Sequence, residues 1–158
     1  MTQLDDCLFC QIAIGKLPCY KIFEDNQHLG FLNIFPNTEG FSVVIPKEHY
    51  VSDFAKVPLE VHLNLVKVSR LASQKISGAY KDVDRCALVF EGMMVDHLHS
   101  KIIPLHQTVN YQGQHMNQPY SDDFFEAYAG YITTMQPKDM AQPEDLQRVA
   151  DKINASTP

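Results

Sequence analysis

The segment Asp96-His97-Leu98-His99-Ser100-Lys101-Ile102-Ile103-Pro104 constrains this chain more than any other. Read as a β-strand, it alternates its side chains between two faces. His97, His99 and Lys101 then share one face, and Leu98, Ser100 and Ile102 share the other. Leu98 and Ile102 can enter a core. The opposite face keeps two imidazoles and an ammonium in a row, with about 7 Å between alternate residues. Such a row suits a phosphate or a metal ion better than it suits packing.

The rest of the chain supplies a sheet for that strand and a helix to cover it. Asp5 and Asp6 are placed to cap a short helix that starts near Cys7 and stops at Gly15. Strands are expected at Tyr20–Glu24, His28–Phe35, Phe41–Ile45 and Arg85–Phe90, separated by turn chemistry at Asp25-Asn26, Pro36-Asn37 and Gly92. Between the third and fourth the period changes. Leu59, Leu63 and Val66 fall on one helical stripe, with Leu65, Val68, Ala72 and Ile76 beside it. Pro58 opens this helix of about five to six turns and Gly78 closes it. The expected fold is α+β, an antiparallel sheet of about five strands packed against one long helix.

After Pro104 the composition shifts. Gln107–Tyr120 is polar and reads as a loop near the site, followed by a short capped helix at Ser121–Tyr128 and a strand at Gly130–Met135. A last helix runs from Pro143 through Ile153, with acidic residues at its positive end. Residues 1–106 are therefore read as the domain core, and 107–158 as a loop and C-terminal helical extension of the same domain.

Charge and cysteine usage narrow the function. A formal net charge of −6 argues against a general nucleic-acid binder, although a small anionic ligand held by a few local cations is compatible with it. The longest apolar runs are too short to span a bilayer, and the N-terminal residues carry no basic or hydrophobic export signal. Cys7, Cys10, Cys19 and Cys86 read as reduced thiols or metal ligands, so a cytoplasmic protein is expected. Cys7-x-x-Cys10 alone fits half a structural zinc site, a reactive dithiol or two ordinary small side chains.

A neutral imidazole with one free nitrogen is a good nucleophile toward phosphorus near pH 7, provided its other nitrogen is held by a carbonyl or carboxylate. His99 fits that description, and Lys101 beside it would offset charge on the phosphoryl oxygens. His-x-His by itself is equally a surface or metal feature.

More context comes from Cys7-Leu-Phe-Cys-Gln-Ile12, Phe31-Leu-Asn-Ile34, Gly40-Phe-Ser-Val-Val-Ile-Pro-Lys-Glu-His49 and His97-Leu-His-Ser-Lys-Ile-Ile-Pro104. In order and spacing, over roughly residues 7–106, these segments together resemble the histidine triad (HIT) family. The resemblance implies a nucleotide hydrolase or transferase acting on nucleoside phosphoramidates, dinucleoside polyphosphates or other nucleoside phosphate esters. It puts His99 in the place of the nucleophile that forms a nucleotidyl-histidine. It also implies a nucleoside pocket walled by Leu8, Phe9, Ile12, Phe31 and Leu32, with Asn33 where a ribose-binding aspartate usually stands. A structural zinc on Cys7, Cys10, His49 and His97, and a homodimer, complete what it implies.

The sequence departs from that pattern in three places. The third triad position is Lys101, Phe41 stands where a further histidine is frequent, and the loop before the motif is Glu91-Gly92-Met93-Met94-Val95, without a hydroxyl or amide side chain. His106 is a candidate to return an imidazole to the pocket. Two rival readings follow: a nucleotide-binding protein whose catalysis has decayed, and a zinc hydrolase built on an open His-x-His metal.

Overall fold

A computed structural model describes residues 6–109 and 139–156. Five strands form one antiparallel sheet: β1 (Lys21–Glu24), β2 (His28–Leu32), β3 (Ser42–Pro46), β4 (Cys86–Val89) and β5 (Ser100–Pro104). Among the described residues, three complete α-helices accompany them: α1 (Leu8–Ala13), α2 (Leu59–Ala79) and α3 (Pro143–Ala155). The α+β architecture is the one expected from the sequence. The expected elements at 121–128 and 130–135 lie outside the described residues.

Strand order is β1-β2-β3-β5-β4. After β3 the chain leaves through α2, adds β4 at the edge, and folds back so that β5 enters between β3 and β4. The strand that follows His97 and His99 is thus interior. Ser42 faces Ile102 and Val44 faces Ser100, which sets Pro46 opposite Leu98 if the register continues. Proline has no N–H to donate, so the ladder stops there. The Leu98 amide donates to the Tyr50 carbonyl at 2.8 Å instead. His97 and His99 therefore precede the formal strand, yet keep its alternation.

Each face of the sheet has its own core. On one, Ile22, Leu32, Val44, Leu98 and Ile102 meet Leu65, Val68, Ala72 and Ile76 of α2 and Leu146, Val149 and Ile153 of α3. Ser69 and Ser100 share a hydrogen bond of 2.6 Å across this layer. On the other face, Phe9 of α1 packs on Leu29, Phe31, Val43 and Ile45. His97, His99 and Lys101 lie on this second side.

Of the two apolar lines the sequence lays along α2, the structure buries one. Leu65, Val68, Ala72 and Ile76 form the buried line, while Leu59 and Leu63 are exposed. Two apolar lines lie side by side on this helix, and only one can face the sheet. Leu65→Ala should therefore cost about 2–5 kcal/mol in urea denaturation, whereas Leu59→Ala should change stability by less than about 0.5 kcal/mol. Equal losses would contradict this packing.

Candidate functional site

The loop between β4 and His97 is fixed by backbone geometry. Gly92 has φ +68°, and a Cβ there would sit 2.8 Å from the Ser52 carbonyl oxygen, so glycine is needed both for its conformation and for the close approach. The Asp96 carboxylate accepts the Ser52 amide at 2.9 Å, tying the loop's far end to the same residue. Asp96 thus orients backbone rather than an imidazole. Met94 between them holds φ +76°, a region that apolar side chains rarely adopt.

This loop, α1 and the C-terminal end of β2 enclose a cavity of about 480 Å³. Leu8, Phe9, Ile12, Phe31, Leu32, Asn33, His99 and Lys101 all line it. Sequence reading did not single out Leu17, Pro18, Val43, Met93 and Met94, which also form its walls. Met93 and Met94 had a signal, since they occupy the loop that lost its polar side chains. The walls are almost wholly apolar, which suits the flat faces of a base.

His99 is 3% exposed, and its Nδ1–H donates to the His97 carbonyl at 2.7 Å. That bond fixes the tautomer and leaves the Nε2 lone pair free. Phe9 approaches the ring edge-on, with centroids 5.4 Å apart. Burial lowers the pKa of His99 below 6.5, partly opposed by the carbonyl bond. The neutral, nucleophilic form consequently persists below pH 6.5. Any activity through this ring should hold constant from neutral pH down past 6.5, losing rate only under more acid conditions. A pH profile of kcat/KM with its acid limb at or above 6.5 would contradict this.

Lys101 reaches the same cavity, but its ammonium is already engaged. Nζ donates to the carboxylate of Glu91, and the two side chains are 7% and 8% exposed. Sequence reading missed Glu91, because nothing in its neighbourhood signals a partner ten residues ahead. Asn33 is likewise partly committed: its Oδ1 accepts the Phe35 amide at 2.9 Å, so its amide N–H groups are what it can offer a ligand.

Two other expectations shift. His106 lies outside the cavity lining, bonded to the Asp82 carboxylate and the Glu39 carbonyl at 3.0 Å each, with its ring edge-on to Tyr80. Burial disfavours its charge, but these two acceptors outweigh that and raise its pKa. It does not return an imidazole to the pocket. Phe41 is 1% exposed and lines a separate cleft beside α3.

Behind His99 stands a second cluster. The ligand atoms of Cys7, Cys10, His49 and His97 all lie within 4.8 Å of one another. His97 Nδ1 is 3.5 Å from Cys7 Sγ and 3.4 Å from Cys10 Sγ, and His49 Nδ1 is 3.4 Å from Cys10 Sγ. His97 Nε2 donates to the Pro46 carbonyl at 2.8 Å. This aims the Nδ1 lone pair at both thiols, as a carbonyl behind a metal-bound imidazole does. Burial, with Cys7 beside it, pushes the Cys10 thiol up to about 11, and burial holds His97 down at about 4. Two thiols and two imidazoles fit a closed tetrahedral zinc site without a vacant position.

The chain is 33% identical over 131 residues to an uncharacterized HIT-like protein of Mycoplasma genitalium, covering 77% of this chain and 89% of that one. It is 36% identical over 101 residues to the adenosine 5′-monophosphoramidase hnt1 of Schizosaccharomyces pombe, covering 62% and 73%. A hypothetical histidine triad nucleotide-binding protein from Sulfolobus tokodaii superimposes with a TM-score of 0.68 at 25% identity, covering 94% and 89%. The HIT domain itself matches residues 15–108, a span from just after α1 to just past β5 that carries His49, His97 and His99, and the chain accordingly belongs to the HIT domain family.

Proposed function

We propose that this protein binds a nucleoside phosphate in the cavity beside His99 and cleaves or transfers it through a nucleotidyl-histidine. The observation that carries the reading is the His99 Nδ1–H bond to the His97 carbonyl, made on the wall of an apolar, nucleoside-sized cavity. With Nδ1 committed, Nε2 attacks the α-phosphorus and a new N–P bond forms. The leaving group departs with its electron pair and takes up a proton. Water then adds to phosphorus, and the nucleoside monophosphate is released as the N–P bond breaks. Leu8, Phe9, Ile12 and Phe31 pack on the base, with Leu32 at the cavity edge and its side chain in the opposite core; Asn33 donates to the sugar, and Lys101 reaches a phosphoryl oxygen. Kinship with a monophosphoramidase and with a histidine triad nucleotide-binding protein supports this class of substrate.

Zinc on Cys7, Cys10, His49 and His97 is the metal this reading assigns, in a structural role. Bound there, it would clip α1 to the segment that bears His99. It supplies no step of the reaction. The same reading takes the protein as a cytoplasmic homodimer. Exposed Leu59 and Leu63 on α2 and Leu88 on edge strand β4 support the pairing of two copies, and free thiols at Cys7, Cys10, Cys19 and Cys86 fit a reducing compartment. No described helix is long and apolar enough to cross a membrane.

A second reading, binding without turnover, draws on the prior pairing of Lys101 with Glu91 and on the apolar loop at Met93 and Met94. Incubation with adenosine 5′-phosphoramidate separates the two. Release of AMP together with a nucleotidyl-protein adduct in intact-mass spectra is the expected result. Tight nucleotide binding with neither product would establish the second reading. Activity that a chelator removes while the fold persists would point to a zinc hydrolase.

A further inference from the structure

Lys101 is the sole charged side chain on the wall of this cavity among the described residues, and it is not an available cation. Its ammonium and the Glu91 carboxylate are both buried, and they compensate each other. An ammonium has three N–H donors. One goes to Glu91, and another can turn to a phosphoryl oxygen without either partner losing the other. The pair as a whole nevertheless brings no net charge to the site.

Among the described residues, the rest of the cavity wall adds none. Next to the pair, the cavity is bounded by Met93, Met94 and Val95. A chain of further phosphates would have to shed water against these thioethers and methyl groups, with no second cation among the described lining residues to replace it, which is costly for any ion. An apolar leaving group would gain from the same contact.

We propose that Glu91 is a specificity-determining residue. By compensating Lys101, it makes the cavity accept a nucleoside carrying a single phosphoryl group with an uncharged, apolar leaving group, in preference to nucleoside polyphosphates. This rests on the cavity being the nucleotide site, as argued above. The selectivity lies in charge balance, so it follows the Glu91–Lys101 pair and not the walls that hold the base.

The test is a binding ladder of adenosine, AMP and ATP on the full chain, titrated calorimetrically without magnesium, with a melting curve to confirm that each variant is folded. The wild-type protein should bind ATP no more tightly than AMP. Glu91→Gln leaves the ammonium uncompensated, and ATP should gain about tenfold over AMP. Lys101→Gln removes the positive charge and keeps the carboxylate, and ATP should lose by a similar factor. The opposite signs allow either variant to decide the matter if the other fails to fold. Glu91→Gln with Lys101→Gln removes both charges and should restore the wild-type ladder. Wild-type protein that already binds ATP about tenfold tighter than AMP, or variants that shift adenosine, AMP and ATP alike, would overturn the proposal and leave the nucleotide site standing. Failure of the wild type to bind any of the three would overturn both.

Discussion

Replacement of His99 by alanine should lower turnover of adenosine 5′-phosphoramidate by about a thousandfold or more and abolish the nucleotidyl adduct. Affinity for AMP should stay within a few-fold of wild type. The asymmetry follows from where the ring sits. His99 lines the cavity on the face it shares with Lys101, whereas Leu8, Phe9, Ile12, Phe31 and Leu32 supply its apolar lining. Alanine removes the lone pair that makes the N–P bond and leaves those walls in place, so kcat should fall while KM changes little. His99 is buried and accepts an edge-on contact from Phe9, so some loss of stability is expected as well. A parallel His99→Gln variant controls for it by keeping bulk and a donor for the His97 carbonyl without a nucleophilic nitrogen. Turnover surviving in both variants would remove His99 from the chemistry. A large rise in KM with kcat unchanged would make it a binding group only.

The arrangement around His99 was legible in the sequence wherever local geometry determines it. Period-two alternation places His97, His99 and Lys101 opposite Leu98, Ser100 and Ile102. The sheet keeps that division even though regular pairing stops at Pro46. Cys7, Cys10 and His49 could be joined to His97 only through likeness to a family, because no periodicity links residues so distant along the chain. The ion pair was invisible for a related reason. Glu91 meets Lys101 because the chain reverses between β4 and β5, and a loop shaped by Gly92 and Ser52 sets where its carboxylate ends up. His106 misled because two residues past Pro104 the chain has already turned toward Asp82 and Glu39. On α2, Leu59 and Leu63 competed with Leu65 and Val68 for the buried stripe, and only packing against β5 and α3 decides between adjacent lines.

Removal of zinc from the proposed site at Cys7, Cys10, His49 and His97 should weaken the nucleotide site as well as the fold. Helix α1 carries Cys10 on one side and Leu8, Phe9 and Ile12 on the side that walls the cavity. Its N-terminal boundary is Cys7, whose side chain makes no capping bond, so the thiols rather than a cap anchor this end of the helix. The helix has only six residues, too few to persist without tertiary anchors. Zinc present at about a hundred times its dissociation constant would stabilise the folded state by about 2.7 kcal/mol. For a chain of this size that corresponds to about 5–10 °C in melting temperature. Prolonged treatment with a strong chelator should lower the melting temperature by that amount and weaken AMP binding several-fold, and re-addition of zinc should restore both. Cys10→Ser should start from the lowered values and respond to neither chelator nor zinc. The coupling runs through His97. Its Nδ1 faces both thiols, its Nε2 is held by the Pro46 carbonyl, and its own carbonyl fixes the tautomer of His99. Purified protein with well under one zinc per chain and a melting curve indifferent to chelator would dismiss the metal. It would leave Phe9, packed against His97 and His99, as the main tie between α1 and the reactive segment.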